Sequence, residues 1–310
     1  MQRHKAIWDW LARLPELFRG FLCLAGAVIL IAPLTANAQM AREYLQTPVK
    51  QFAGFIEYSI GQAQSATSAD LPLANDLTFS HVTVPYLLYS FPLNKKYAGV
   101  DVTTPYVKVR SADGLFETTG FSDPSFAFHM NLFGLPAVTR EEIATFVPQN
   151  LMSVHFKVNV PIGSYDRNKP VNMGGNRWAF SPLVNLNITR DKGVSWFEVY
   201  AAGKFFTDNN EFQGSNKLSQ KPILTLTGHY SHNLGKKAWA SIGTSYDYGG
   251  ETSINNVAQN NTANGLRPMV AYSRVLGRFR ITVRYENTAT KANDHKRNSS
   301  VAIRLASLLF

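Results

Sequence analysis

The sequence predicts an all-β fold: a transmembrane antiparallel up-and-down β-barrel of about 12 strands that follows a cleaved signal peptide. Two observations favour this class. Apolar and polar residues alternate over stretches of seven residues or more, and the connections between those stretches alternate between long and short. In addition, no stretch after residue 38 is apolar over the roughly 20 residues that a spanning helix needs. Strands would therefore make any crossing of a membrane.

The first 38 residues are predicted to be the signal peptide. A basic region precedes a 14-residue apolar run, Phe21–Leu34. Ala36, Asn37 and Ala38 then fit the small-x-small rule for cleavage before Gln39. Because the run is shorter than the roughly 20 residues of a spanning helix, an uncleaved inner-membrane anchor is the weaker alternative. We expect export to the outer membrane of a Gram-negative cell, with residues 39–310 forming the barrel.

The composition limits the remaining classes. Cys23 is the only cysteine and lies in the apolar run, so the mature chain would have no disulfide and must bury or embed apolar surface unaided. Loss of the signal peptide would reduce the net charge from +10 to +8. The basic residues are spread over strands and loops, which argues against nucleic acid as a partner.

The strands are predicted from period-two patterns, which a helix cannot produce. In residues 154–161, Val154, Phe156 and Val158 form one face, and His155 and Lys157 belong to the other. The phase slips near Thr103–Pro105, which predicts a bulge there. The predicted strands lie near 51–60, 77–92, 97–109, 121–133, 152–162, 177–190, 194–206, 221–233, 237–249, 266–276, 278–287 and 299–310.

The connections predict the orientation of the barrel. Long ones, such as 163–176 and 207–220, alternate with short turns, as in outer-membrane barrels with both termini in the periplasm. The exception is 134–151, which is long where a short turn is expected. Thr139 followed by Glu141 and Glu142 favours the start of a helix, so we expect a short periplasmic helical insert there.

The inward phase of the strands carries most of the charge. A soluble sandwich would alternate too, but the strand lengths, the loop alternation and aromatic residues near strand ends favour a membrane barrel. Basic residues predominate in the lumen and would favour anions, so exchanging Arg280 and Arg284 for Glu should reverse the ion preference. The candidate lumen residues are His155, Lys157, Glu198, Lys204, Arg280, Arg284 and Glu286. The candidates for interfacial aromatic girdles are Tyr86, Tyr89, Tyr97, Trp178, Trp196, Phe205, Phe206, Tyr246 and Tyr248.

Three motifs resemble those of a known family. They are 160–182, which includes NMGGNRWAFSP, then FFTDNN at 205–210, and YGGET at 248–252. Together they resemble the outer-membrane proteins of the MetA pathway (meta-pathway) of phenol degradation, over about residues 50 to 290. The chain departs from that pattern at Asn255–Asn256, where an Asp-Gly turn is expected, and at its terminal Phe310. The motif residues are Pro161, Gly163, Tyr165, Asp166, Asn172, Gly174, Asn176, Arg177, Trp178, Phe205, Phe206, Asp208, Asn209, Gly249 and Gly250.

The motif residues have structural and functional interpretations. The glycines and asparagines suit turns in the connection before Arg177. Arg177 would either line the mouth and attract anions or pair with Asp166 or Asp208 at the rim. Trp178 would be either a stacking surface or part of a girdle. Residues 208–210 offer oxygen ligands to a cation, but they lack a full ligand loop.

The resemblance implies passive uptake of small hydrophobic or aromatic compounds through an outer-membrane channel. A plugged structural or adhesive barrel is the alternative, and a lipid hydrolase is a weaker one. For the hydrolase, Ser153 and His155 share a face, but the sequence supplies no third group to orient the histidine. No catalytic, cofactor or metal site is expected. The expected partners are outer-membrane lipids, lipopolysaccharide, a small solute and the barrel-assembly machinery.

Overall fold

The computed structural model describes residues 39–45, 47–64, 77–112, 114, 116–169, 171–290 and 297–308. They belong to one compact unit, Pro33–Phe310. The predicted signal peptide and the terminal Phe310 lie outside the described residues. Within them, no helix is both long enough and apolar enough to span a membrane.

The described chain consists almost entirely of strands, with two 3-10 turns at Glu142–Ala144 and Asp191–Gly193. The strands are β1 (Gln51–Gln64), β2 (Leu77–Leu93), β3 (Lys96–Thr103), β4 (Tyr106–Ser111), β5 (Glu117–Phe121), β6 (Ser125–Phe133), β7 (Leu151–Asn159), β8 (Ala179–Arg190), β9 (Ser195–Phe206), β10 (Asn209–Phe212), β11 (Asn216–Gln220), β12 (Ile223–Asn233), β13 (Ala238–Gly249), β14 (Thr252–Ile254), β15 (Val257–Ala258), β16 (Ala263–Leu276), β17 (Phe279–Thr290) and β18 (Arg297–Leu308).

The main sheet closes into a barrel. Its strand order is β1-β18-β17-β16-β13-β12-β9-β8-β7-β6-β3-β2, and β2 pairs with β1 to complete the ring. All these pairings are antiparallel, and Glu57 of β1, for example, lies opposite Arg304 of β18 and Val84 of β2. Closure leaves no unpaired edge to the membrane, which is the condition for a β structure to span it.

Two of the barrel strands are interrupted. β3 and β4 pair with successive parts of β2, so they form one strand broken at Thr104 and Pro105. β5 and β6 likewise form one strand that is broken at residues 122–124. With these two pairs joined, the barrel has 12 strands, as predicted, and the predicted irregularity at Thr103–Pro105 is confirmed.

The two ends of the barrel differ. One end, here called the short-turn end, has turns such as 94–95 and 277–278, and β1 begins and β18 ends there. The other, the long-loop end, carries 160–178 and a separate four-stranded sheet of β10, β11, β14 and β15. In outer-membrane barrels the short turns are periplasmic and the long loops extracellular.

The long connection at the short-turn end, 134–150, contains less helix than expected. The side chain of Thr139 and that of Glu142 cap each other's backbone N–H groups, at 3.4 and 2.7 Å. This capping box begins only the 3-10 turn. The chain around it stays extended, because the side chains of Leu135, Val138 and Phe146 pack inward. Leu135 joins Val49, Tyr97, Leu151 and Trp196 in a hydrophobic cluster.

Burial follows the pattern of a membrane barrel rather than that of a soluble protein. On β8, Asn185 and Asn187 are fully buried, whereas Val184, Leu186 and Ile188 are exposed on the outer face. Five predicted girdle residues are exposed: Tyr89, Trp178, Phe205, Tyr246 and Tyr248. The prediction was wrong for Tyr86, Tyr97, Trp196 and Phe206, which lie on the inward phase and pack inside the barrel.

Candidate functional site

The chain before β1 enters the barrel interior. We call residues 39–50 the plug segment, because they turn back from the short-turn end and cross the lumen from β1 to the opposite wall. Near β1, the backbone N–H of Lys50 donates to the carbonyl of Ser90 at 2.7 Å, and that of Val49 donates to Val138 at 2.8 Å. Further along the segment, Met40 and Ala41 are buried.

Arg42 fixes the plug segment to the far wall. Its backbone N–H donates to both carboxylate oxygens of Glu198 on β9, at 2.8 and 3.1 Å. Its side chain donates to Ser231 at 2.8 Å and to Asn233 at 2.6 Å, both on β12. Arg42 has φ 62°, a left-handed conformation that side chains other than glycine rarely adopt. The contacts with two strands therefore hold a costly backbone turn in place.

Tyr44 fills the middle of the lumen. Its ring lies 3.8 Å from the ring of His155 and 5.9 Å from that of Tyr200, measured between centroids. A cavity of about 40 Å³ remains between the plug segment and the wall beside Tyr86 and His129. That volume holds only a few water molecules. The plug segment thus closes the lumen of the structure at this level.

An ion-pair network lies beside the plug segment. Glu57 accepts from Arg284 at 3.0 Å and from Arg304 at 2.7 Å. Arg284 also lies 3.9 Å from Glu286, and Arg304 lies 3.4 Å from Glu43 of the plug segment. Each charge in the network therefore has an opposite charge nearby. Arg284 therefore neutralises carboxylates of the wall, and the effect of Arg280 and Arg284 on ion preference stays a prediction.

Ser153 and His155 are neighbours but do not form a catalytic arrangement. The Ser153 hydroxyl lies 2.9 Å from His155 Nε2, and Asn185 Oδ1 approaches the same nitrogen at 3.0 Å. A nucleophile is activated when the third group orients the histidine through the other ring nitrogen. Tyr44 also covers the pair. The arrangement fits a structural hydrogen-bond network in the lumen wall.

The other predicted lumen residues also lie on the inward phase. Glu198 contacts the plug segment, and Glu286 accepts from Ser300 at 3.1 Å. Arg280 is exposed to the lumen near the short-turn end and donates to Ser273 at 3.2 Å. Lys157 and Lys204 lie nearer the long-loop end, beyond the plug segment.

The family motifs come together as a set of anchored loops at the long-loop end. Asp123, at the break between β5 and β6, accepts from the backbone N–H of Gly163 at 2.9 Å and of Gly175 at 2.8 Å. A side chain on Gly163 would place its Cβ 2.7 Å from the Asp123 nitrogen, so only glycine fits. Pro161 and Gly174 lie in the same loop, 160–178.

A second group of bonds joins this loop to the small external sheet. Asn209 donates to the hydroxyl of Tyr165 at 2.9 Å and accepts from Asn176 at 3.1 Å. Within the loop, the Asn172 side chain accepts from the backbone N–H of Asp166 at 2.7 Å and donates to the backbone carbonyl of Asp166 at 3.0 Å. These residues therefore build the loop. The charge of Arg177 helps to lower the pKa of Asp208, and an ion pair of Arg177 with Asp166 or Asp208 stays a prediction.

Arg177 contacts Gln220 and Phe206. It donates to Gln220 at 2.5 Å, and its guanidinium lies 4.6 Å from the ring centre of Phe206. Gln220 in turn donates to the carbonyl of Gly250 at 2.9 Å. Gly249 and Gly250 have φ values of 103° and 71°, which glycine adopts without strain.

Trp178 and Asp208 lie on the outside of this region. Trp178 is exposed on the outer face and stacks on Phe180, which places it in the aromatic girdle. Asp208 pairs with Lys217 at 2.6 Å, and this hydrogen bond lowers the pKa of the Asp208 carboxyl below its usual value. Among the described residues, no group of three or more His, Cys, Asp or Glu could hold a metal ion.

We expect Asp123→Asn to loosen the loop 160–178. One carboxylate oxygen becomes an amide donor that faces an N–H group, and a bond to a charged acceptor contributes about 1.5–3 kcal/mol. Trypsin should therefore cut after Arg167 roughly tenfold faster than in the unchanged protein. Asp191→Asn, in a turn at the short-turn end, is the matched control. Equal cleavage rates in the two variants would contradict the anchoring role of Asp123.

Four features of the lumen were not predicted from the sequence: the plug segment, Glu57, His129 and Arg304. A signal for Glu57 and Arg304 was available, because both carry charge on the inward phase of their strands. The residues of the plug segment follow no strand period. Their place inside the barrel depends on contacts with residues such as Glu198, more than 150 positions away.

The chain was compared with curated proteins and with solved structures, and one solved channel shares its fold. Comparison with curated proteins gave no significant match. Among solved structures, the COG4313 outer membrane channel from Pseudomonas putida F1 has a TM-score of 0.75 and 18% identity, covering 88% of this chain and 100% of that one. The transport unit of the autotransporter AIDA-I from Escherichia coli has a TM-score of 0.49 and 7% identity, covering 88% of this chain and 93% of that one.

Membership of a family rests on the sequence itself. A family model described as "Putative MetA-pathway of phenol degradation" matches residues 61–303. The match covers most of the chain and includes all three motifs. The chain belongs to this family, and it has the 12-stranded barrel of an outer-membrane protein.

Proposed function

We propose that the protein is an outer-membrane channel for the passive uptake of small hydrophobic or aromatic compounds. The observation that carries the proposal is the nature of the obstruction. The lumen is obstructed by the plug segment, which precedes β1 and is held through non-covalent contacts. Cleavage of the predicted signal peptide before Gln39 would make this segment terminal, and it could then leave while every strand pairing of the barrel stays intact. The wall itself encloses a lumen lined by polar and charged residues, Lys157 among them.

Aromatic side chains inside the barrel support this class of solute. Phe55 and Tyr86 stack at 4.3 Å between ring centres, and the rings of Tyr44 and Tyr200 lie 5.9 Å apart. Aromatic rings attract one another in stacked or edge-to-face arrangements worth about 0.5–1.5 kcal/mol. The family's link to phenol degradation and the channel named among the similar structures support the same solute class.

The proposal is tested by solute entry into liposomes that contain the mature protein. We expect phenol and benzoate to enter faster than into protein-free liposomes, while a disaccharide is excluded. Entry of all three at the same rate would mean a general pore. Lack of entry of all three, even after removal of the plug segment, would contradict the proposal and favour a plugged structural barrel.

Two further parts of the proposal concern partners. Lipopolysaccharide would contact the basic residues at the long-loop end, although Lys108, Lys217 and Lys221 there already pair with carboxylates at 2.6 Å. The barrel-assembly machinery would insert the chain. A role without catalysis is supported by the arrangement around His155.

A further inference from the structure

A row of polar groups crosses three neighbouring strands above the plug segment. Lys157 of β7 lies opposite Ser181 of β8. The pairs Phe180 with Phe205 and Leu183 with Ala202 place Ser181 opposite Lys204 of β9. Lys204 is four residues beyond Tyr200, about 13 Å toward the long-loop end at the rise of a strand. The two ammonium groups thus flank one hydroxyl on the lumenal face, clear of Tyr44.

The positive charge of this row is poorly compensated. Within the described part of the chain, no carboxylate lies within ion-pair distance of Lys157 or Lys204. Lys157 is exposed to the lumen, and the ammonium group of Lys204 lies 5.3 Å from the ring centre of Phe206. Asp123, the acidic residue of this region, already accepts from two backbone N–H groups.

Ser181 completes the polar row. Its hydroxyl oxygen is buried and has no hydrogen-bond partner among the described residues. Buried polar groups are nearly always hydrogen-bonded, so an unpaired one between two cations marks the place of an acceptor. A carboxylate can accept from a hydroxyl and from two ammonium groups at the same time.

The neighbouring rows are largely apolar. Toward the long-loop end, the lumenal positions beside Ser181 and Lys204 are Ala179 and Phe206, which pair with each other. Toward the plug segment, they are Leu183 and Ala202, which also pair. A ligand centred on the row therefore meets charge at its head and apolar surface around its body.

We propose that Lys157, Ser181 and Lys204 form a binding site for a small aromatic carboxylate, with its acid group on the polar row and its ring against Phe206 or Leu183. The site deepens the proposed channel function, because it selects the anionic members of the aromatic solutes. Binding at the site does not require the channel to open. It can therefore be measured even if the transport proposal fails.

The test is equilibrium binding to the mature protein in detergent, measured by calorimetry with benzoate, phenol and acetate. We expect benzoate to bind roughly tenfold or more tightly than either phenol, which lacks the charge, or acetate, which lacks the ring. The double variant Lys157→Gln/Lys204→Gln should lose that preference over phenol. Lys236→Gln/Lys237→Gln, which removes two exposed lysines from a turn at the short-turn end, should keep it.

The same measurement can overturn the inference. Equal affinity for benzoate and phenol would contradict recognition of the carboxylate. Equal affinity for benzoate and acetate would contradict recognition of the aromatic ring. Unchanged benzoate affinity in Lys157→Gln/Lys204→Gln, with the variant shown to be folded by its heat-dependent migration in gels, would place binding elsewhere. Benzoate binding together with absent flux would sustain the site while contradicting the channel.

Discussion

Deleting residues 39–45 from the mature chain is expected to change the barrel from closed or rarely open to continuously open. This change would raise its mean conductance in planar lipid bilayers. The deletion removes Arg42, Glu43 and Tyr44, whose side chains cross the lumen, and it leaves all strand pairings in place. Single-channel recording measures the effect directly. The deletion should not change the migration of the folded barrel in gels, which checks that the strands have assembled.

A single substitution should give a weaker form of the same effect. Arg42→Ala removes the bonds to Ser231 and Asn233, which are bonds from a charged donor. Such bonds contribute about 1.5–3 kcal/mol each, so the equilibrium for release of the plug segment should shift tenfold or more. Arg140→Ala, on the exposed insert, is the control. Current traces of the Arg42 variant that match those of the control would argue against this anchor.

The reverse experiment uses the absence of cysteine from the mature chain. Ala41 and Ala271 belong to one buried cluster with Trp239, so Ala41→Cys/Ala271→Cys would introduce the only two thiols of the mature chain into that cluster. We expect oxidation to hold the plug segment in the lumen and to abolish solute entry, and reduction to restore entry. Entry that is the same in the oxidised and reduced forms, with the disulfide verified by mass, would mean that solutes pass without movement of the plug segment.

The parts of the structure that the sequence predicted are those governed by local rules. Alternation with a period of two follows from strand geometry, so the 12 strands and their lumenal faces could be predicted from residues such as Val154, His155 and Phe156. The slip at Thr103–Pro105 was visible because proline removes a donor from the sheet. The same pattern left two interpretations open for Trp178, and the structure places its side chain on the outer face.

The parts that were missed depend on contacts between distant residues. Arg42 has no periodic signal, and its partner Glu198 lies on the opposite wall of the barrel. Tyr97 and Trp196 were assigned to the girdle because they lie near strand ends, but packing against Val49 and Leu135 turns them inward. A strand-end aromatic residue fits either place, and only the presence of the plug segment and the insert decides between them.

The second large effect is expected from Glu57→Gln, which should destabilise the barrel by about 3 kcal/mol, because removing one partner of a buried ion pair leaves the other charge uncompensated. Glu57 has 10% of its side chain exposed and contacts two guanidinium groups, those of Arg284 and Arg304. Glu286 and Glu43 remain near these arginines and limit the loss. Urea unfolding in lipid vesicles, followed by tryptophan fluorescence, measures the change.

The control for Glu57→Gln is the same substitution in an ion pair that is exposed to solvent. Glu117→Gln breaks the ion pair with Lys108 at the rim, where the two side chains are 54% and 43% exposed. Exposed pairs contribute at most about 1 kcal/mol, so this variant should unfold close to the unchanged protein. A similar small change in both variants would mean that water in the lumen screens the network of Glu57 as effectively as bulk solvent does. A large change in Glu57→Gln alone would identify the network as a fixed part of the wall against which the plug segment rests.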